Sequence, residues 1–208
     1  LGTGEFRTAK VATTPQDLST GFLHAMERVV VEAAVTPGEV AQIIHATTVA
    51  TNAIIENKVA RSAFITTRGF RDILEIQRQI RPTLYDLFFD KPPSLIPRYL
   101  CYEVTERVTA EGEVLQPLDE DEVRQVVRQI KQEAVEAIAV CFLHSYITPA
   151  HERRTGEIVK AEFPEAYLTL SSEINPEFRE YFRASTTVIN AVLMPLVARY
   201  VDKLQKEI

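Results

Sequence analysis

The sequence predicts an α/β fold with parallel strands, and three observations carry that expectation. Strand-like apolar runs alternate with helix-patterned segments from about residue 99 onward, in the order hairpin, helix, strand, helix, strand, helix. That order implies strands joined by right-handed helical crossovers. Residues 137–143 are apolar throughout, as a strand covered on both faces must be. Two distant segments, 45–53 and 171–190, each read as a strand running into a helix with small polar residues at the junction. An α/β fold places ligand-binding groups at such junctions, so the pair suggests a small-molecule site built from opposite ends of the chain.

Each element follows from its local pattern. Residues 8–13 read as a short strand. Pro15 and Asp17 open a helix to about Ala34, with Leu18, Phe22, Met26, Val29, Val30 and Ala33 as its apolar stripe. Thr36-Pro37 resembles a cap followed by a first-turn proline. Residues 41–46 read as a strand, 48–57 as a helix, 62–66 as a strand, and 70–76 have helical spacing. Pro82, Pro92, Pro93 and Pro97 punctuate 81–97, which reads as a crossing segment between subdomains, tacked down by Tyr85, Phe88 and Phe89. Residues 99–108 and 114–115 read as a hairpin turning at Glu111-Gly112. Asp119 and Glu122 form a capping-box pattern ahead of a helix that buries Val123, Val126, Val127 and Ile130. Thr148-Pro149 opens the next helix, with Ile158, Val159 and Phe163 on its apolar side. Residues 167–170 read as a strand, and Asn175-Pro176 starts a short helix to about Phe182. A last helix runs from about Thr186 to the end, kinked at Pro195, with two apolar rows that need a cover.

Bulk properties narrow the function. The 208 residues suit one large or two small domains, and 46 % hydrophobic with 25 % charged residues is an ordinary globular balance. A net charge of −6 argues against a nucleic-acid partner. No apolar run approaches the roughly 20 residues that span a bilayer, and no secretory signal is visible, so no membrane partner is expected. Cys141 sits in an apolar run and reads as a buried free thiol, which fits a cytoplasmic location; a disulfide with Cys101 is the alternative. The first residue is leucine, so the chain is expected to begin inside a longer gene product.

The candidate site residues carry two readings each. Thr47, Thr48 and Thr51 place hydroxyls at a helix start, where unpaired N–H groups attract an anion or a polarised carbonyl, and Asn52 adds a donor and an acceptor. The alternative is simple capping. His45 reads as a site group or a hydrogen-bonded structural residue. The four histidines show no metal-ligand spacing, and no metal site is expected. His144 ends an apolar strand, while His151-Glu152 reads as a solvated or capping first turn. In 171–190, Glu173, Arg179, Glu180 and Arg183 form a second tier that orients a substrate or lies on a salt-bridged helix surface. Ser185-Thr186-Thr187 reads as another helix start. Arg78 and Arg81 read as anion ligands or as ordinary exposed arginines. With seven glycines, the chain has no P-loop, Gly-x-Gly-x-x-Gly or Gly-x-Ser-x-Gly.

Taken in order, 45–52, Ile65 to Asp72, Leu74-Glu75-Ile76, Arg81-Pro82, Leu84 to Leu87, Glu106-Arg107, Pro117 to Glu120, Glu136 to Val140, Leu143 to Tyr146, Pro149 to Glu152 and 171–190 resemble the N-terminal region of the hydantoinase A / 5-oxoprolinase family. The similarity covers nearly the whole chain. It implies an actin-like ATPase (ribonuclease H-like) fragment of two α/β subdomains with mixed sheets. Residues 1–80 would be the remainder of the first lobe, 81–97 the crossing segment, 98–185 the second subdomain, and 186–208 a helix leading into a catalytic region outside the sequence. The resemblance further implies ATP with Mg, bound mainly by parts not present, and phosphorylation of an inert carbonyl oxygen. The expected reaction is ATP-dependent opening of a cyclic amide such as a hydantoin or 5-oxoproline. The alternatives are a subunit of an acetone or acetophenone carboxylase, or a non-catalytic assembly domain that docks a partner through the last helix. A sugar- or acetate-type kinase fits the architecture but not the motifs. Expected partners are a small-molecule substrate, the rest of the polypeptide and a hydantoinase B-type subunit. Two residues depart from the family's usual pattern: Ala46 replaces a glycine, and Phe182 replaces a glutamate, removing a charge beside Arg183. The glycine-rich hairpin Asp-x-Gly-Gly-Thr-x-Thr-Asp of the family is also missing, so this piece alone is expected to bind nucleotide weakly or not at all.

Overall fold

A computed structural model describes residues 4, 6–14, 17–80, 85–86 and 88–208, apart from the side chain of Leu18. Pro15, Arg81, Pro82, Leu84 and Leu87, all used in the sequence reading, lie outside the described residues. Contacts divide the chain into two units, Leu1–Glu56 with Leu196–Ile208, and Asn57–Pro195.

In the larger unit, β-branched and small apolar residues build β1 (Ser62–Thr67), which is buried at every position. Next come the short α3 (Ile73–Ile76) and β2 (Cys101–Val104). β3 (Arg107–Val108) and β4 (Val114–Gln116) form a separate antiparallel ribbon. After it come α4 (Glu120–Gln132), β5 (Ala137–Cys141), α5 (Ala150–Glu162), β6 (Tyr167–Leu170), α6 (Ser171–Ile174) and the start of α7 (Glu180–Glu207). The main sheet is wholly parallel in the order β2-β1-β5-β6, with Phe64 level with both Cys101 and Ala139. The mixture of strand directions lies between the sheet and the ribbon. β5 is buried throughout, and the core joins it to Val123, Val127 and Ile130 of α4, Ile158 and Val159 of α5, and Ala184, Val188 and Val192 of α7. Gly156 lets α5 lie close to β6: a Cβ there would meet Leu168 and Leu170 methyls at 3.2 and 3.3 Å.

Several expectations need correction. β1 lies in the same sheet as β2, β5 and β6, so the partition into 1–80 and 98–185 cuts through hydrogen-bonded strands. The expected strand over 99–108 is a 3-10 turn (Arg98–Leu100) and two strands, because the chain leaves the sheet where Thr105 N–H turns to Glu122 Oε2 at 2.6 Å. Glu122 therefore does not complete a capping box, although Asp119 does cap α4 by accepting from Glu122 N–H at 3.0 Å. Tyr85 and Phe88 are 94 % and 93 % exposed and tack nothing down; among the described residues of that segment Ile96 is the buried one, and Lys91 Nζ reaches Glu75 O at 2.6 Å. Both cysteines are free and buried. α7 begins at Glu180, six residues before the expected start at Thr186. The helix expected over 175–182 is instead an irregular stretch over 175–179 and the first turn of α7, with α6 ending just before it. An 18-residue window of α7 is long and apolar enough, by length and composition, to cross a membrane, contrary to the sequence reading. Its Ala184, Val188, Ala191 and Val192 face the core.

In the smaller unit, Asp17 caps α1 (Leu18–Ala33), accepting from Ser19 N–H at 3.2 Å. Lys203 forms an ion pair with the Asp17 carboxylate and, with the Ser19 and Thr20 hydroxyls, holds its pKa well below the usual carboxylate range. Thr36 caps the 3-10 turn Pro37–Glu39, and its N–H and hydroxyl both donate to the Glu39 carboxylate. Residues 8–13 and 41–46 form no strand: among the described residues, no ladder partner reaches them. α2 (Val49–Ile55) follows Thr48 directly. Phe22, Met26, Val29 and Val30 of α1 line an apolar groove with Val40 and Ile43.

Candidate functional site

The first-tier residues all lie in the smaller unit and are all exposed. Thr48 stands at the N-cap of α2 but makes no capping bond. Thr47 does, its Oγ1 accepting from Val49 N–H at 3.2 Å. Asn52 Nδ2 donates to Thr48 Oγ1 at 3.3 Å, so the two side chains stay on one turn of the helix. Thr51 is exposed one position earlier. The start of α2 thus offers Thr48 and Asn52 to solvent beside the unpaired N–H groups of a helix end. His45 is not at a strand end. Its ring packs 4.1 Å from that of Phe22 and its Nε2 lies 2.6 Å from the Tyr200 hydroxyl, so its contacts are those of a structural residue.

In the larger unit, all four parallel strands end on one edge of the sheet, and that edge carries a polar cluster that is mostly buried. At its centre the backbone leaving β5 is pinned from three sides. Phe142 N–H donates to Glu152 Oε1 at 2.8 Å, Phe142 O accepts from Arg183 Nη2 at 2.8 Å, and Leu143 N–H donates to Thr67 Oγ1 at 3.0 Å. Glu152 is fully buried and also accepts from Ser171 Oγ at 2.6 Å and Ser172 N–H at 2.8 Å. A buried carboxylate is tolerated only when so many donors replace its water. Ser145 Oγ joins in at 3.0 Å from both Phe142 O and Ser171 Oγ. Beside this lies a second group: Thr67 donates to Glu106 Oε1, and His151 Nδ1 lies 2.8 Å from Glu106 Oε2. His144, in the left-handed region at φ 56°, completes the turn. His144 Nδ1, Ser172 Oγ and Arg183 Nε are buried without a hydrogen-bond partner among the described residues, and all three belong to this edge. Burial pushes the Cys141 thiol, at the end of β5, up to about 12.

The second-tier residues separate. Glu173, Arg179 and Glu180 are exposed, whereas Arg183 is 1 % exposed and points inward. Arg183 Nη1 donates to Glu177 O at 2.8 Å, and its guanidinium lies 5.2 Å from the Tyr146 ring centre. Arg179 has φ 78° just ahead of α7, a strained value for a residue with a side chain. Arg179, Glu177, Phe178 and Phe182 line an open depression of about 590 Å³. Phe182 packs under the Arg78 guanidinium at 5.1 Å, so Arg78 is stacked rather than free. Ser185, Thr186 and Thr187 are not a helix start: each hydroxyl donates to the carbonyl four residues back, at 2.8, 3.0 and 2.7 Å. His151 and Glu152, read from sequence as solvated, are the largest omission. The signal was present in their position, two turns of chain after a continuously apolar strand. No group of three His, Cys, Asp or Glu able to hold a metal occurs among the described residues.

Comparison with known proteins identifies the family and the fold. The profile of the family described as hydantoinase/oxoprolinase N-terminal region matches residues 2–163. An uncharacterised protein of Methanocaldococcus jannaschii is 44 % identical over 94 % of this chain and 29 % of its own length. The alpha subunit of caprolactamase from Pseudomonas jessenii is 30 % identical over 97 % of this chain and 30 % of the subunit. The crystal structure of that ATP-dependent caprolactamase superposes with a TM-score of 0.88 over 97 % of this chain and 30 % of that chain. The gamma subunit of acetophenone carboxylase from Aromatoleum aromaticum is 33 % identical over 91 % of this chain and 28 % of the subunit. The chain therefore spans under a third of the length of these relatives, and its fold is of the actin-like ATPase type.

Proposed function

The chain belongs to the hydantoinase/oxoprolinase family as its N-terminal region, and on that premise we propose that it is part of an ATP-dependent enzyme that opens a cyclic amide. The observation that carries this reading is the superposition on the ATP-dependent caprolactamase over nearly the whole chain. An unactivated amide carbonyl is a poor electrophile. Phosphoryl transfer from ATP to its oxygen makes the carbon reactive, and the protein's task is then positioning and charge stabilisation.

In this proposal Thr47, Thr48, Thr51 and Asn52 face substrate or phosphate, with hydroxyl and amide donors beside the start of α2. His45 supports that turn through Phe22 and Tyr200. Glu173, Arg179 and Glu180 supply charge at the surface, while Arg183 holds the strand end that they flank. Magnesium would accompany ATP and screen its phosphates. Its ligands would be mainly phosphate oxygens and water, as is usual for magnesium carried by a nucleotide. Two relatives are named as subunits, which supports a multi-subunit assembly, and in this proposal the partner is a hydantoinase B-type subunit. The two free thiols fit a reducing, cytoplasmic setting.

The acetophenone carboxylase relative favours a second reading, ATP-dependent carboxylation of a ketone. Both are tested with the full-length protein, alone and with a hydantoinase B-type subunit. ADP release is followed with 5-oxoproline, hydantoin or caprolactam, and separately with acetone or acetophenone plus bicarbonate. The cyclic-amide reading expects ADP release with ring opening and no need for bicarbonate. ADP release only with ketone and bicarbonate would transfer the protein to the carboxylase branch, and none with either set would leave the assembly-domain reading.

A further inference from the structure

The Thr67, Glu106 and His151 group has no role in the reading above, and its geometry is that of an oriented imidazole. The Glu106 side chain has no exposed surface, yet its two oxygens are each claimed by a donor from a different element. Thr67, the last residue of β1, donates to Oε1, and its oxygen in turn accepts the Leu143 N–H. His151, in the first turn of α5, lies on Oε2. An ionised Glu106 can only accept, and against it Nδ1 of a neutral His151 is the donor, which leaves Nε2 as the acceptor. The ring is otherwise enclosed, with 13 % of its side-chain surface exposed, and no described residue hydrogen-bonds Nε2. Burying a glutamate costs stability unless it is well compensated. The group also stands at the C-terminal edge of a parallel sheet, beside the unpartnered Nδ1 of His144.

We propose that His151 is the proton-transfer residue of the ring-opening reaction, with Glu106 and Thr67 as its positioning residues. The inference deepens the cyclic-amide reading and rests on it. Nε2 takes a proton from the attacking water as the water oxygen bonds the activated carbonyl carbon. The imidazolium passes that proton to the ring nitrogen as the C–N bond breaks. The nitrogen keeps the electron pair of that bond, the second water hydrogen passes to the released amine as its oxygen forms the new C=O, and the product is an acyl phosphate. A further water attacks its phosphorus and breaks the P–O bond to give the carboxylate and inorganic phosphate, while the imidazole ends neutral, as it began. Glu106 stabilises the imidazolium while it exists, and Thr67 keeps the carboxylate from rotating.

The test uses the full-length protein with its partner subunit. His151→Gly should lower kcat about 100-fold with KM changed less than about threefold, and added imidazole should restore part of the loss, which a packing role would not allow. Glu106→Gln, which keeps the volume, should lower kcat about tenfold by favouring the wrong tautomer. Independently of any substrate, diethyl pyrocarbonate should modify His151 of the wild type at neutral pH, and Glu106→Gln should slow that modification; this arm reads the dyad even where no cyclic amide turns over. The proposal is overturned by a kcat within about threefold of wild type in either variant, by loss without imidazole rescue in a folded His151→Gly protein, or by a His151 inert to the reagent. Where His151→Gly does not fold, the Glu106→Gln turnover and the modification rates decide.

Discussion

The turn at α2 and the C-terminal edge of the sheet are both built from hydroxyls, amides and charged groups, yet they are made differently. Around Thr48 and Asn52 the side chains are exposed, and their bonds are long and local, 3.2 and 3.3 Å within one turn. Around Phe142 they are buried, and residues from β1, α5 and α7 converge on two consecutive peptide groups. Exposed polar groups lose little when deleted, because water replaces their partners. Buried ones leave those partners stranded. The first region therefore separates function from folding, and the second ties them together.

The largest effect that would break this comparison concerns Arg183. Arg183→Ala leaves Phe142 O with Ser145 alone, takes the guanidinium donor from Glu177 O, and removes a guanidinium buried at this edge. We expect a loss of about 3 kcal/mol in urea unfolding, with no recovery in Arg183→Lys because a point cation does not span two carbonyls. A loss below about 0.5 kcal/mol would show that the edge does not depend on its buried polar bonds.

Next in size is the opposite behaviour at α2. Asn52→Ala removes one 3.3 Å bond to Thr48 from an exposed helix face. It should cut turnover of the full-length enzyme about tenfold or more while moving stability by under about 0.5 kcal/mol. Activity within about twofold of wild type would remove the threonine turn from the site.

These two regions also differ in how well they could be read in the sequence. The sheet was legible because burial on both faces leaves an unmistakable trace: Ala137 to Cys141 has no polar residue, and Val123, Val126, Val127 and Ile130 repeat at helical spacing. The start of α2 was legible because threonines precede an apolar helix. Residues 8–13 and 41–46 were misread because period-two apolar patterning reports extended backbone, not the presence of a ladder partner. The start of α7 was placed too late because Ser185, Thr186 and Thr187 look like caps; inside a helix their hydroxyls bond carbonyls four residues back. His151 and Glu152 escaped because charged residues after a proline read as a solvated first turn. Their burial depends on Glu106, Ser171 and Ser172, which are distant in sequence.

The smallest effect sharpens the comparison from within the larger unit, where Cys101 and Cys141 report on burial at opposite ends of their strands. Burial raises the Cys101 thiol to about 11 and the Cys141 thiol to about 12, the latter despite the nearby Arg183 cation, which acts in the opposite direction. Only the thiolate alkylates, so in the folded protein at pH 8 iodoacetamide should modify Cys101 faster than Cys141 by no more than about tenfold, as mass spectrometry of the two peptides would show. Arg183→Ala then sets two effects against each other. Losing the cation alone would raise the Cys141 thiol further and slow its alkylation. Losing the bonds to Phe142 and Glu177 would loosen the strand end and speed it. Faster labelling of Cys141, with Cys101 unchanged, would mean that Arg183 acts on this edge through its hydrogen bonds; slower labelling would mean that the edge stays closed without them and that the buried cation acts only through its field.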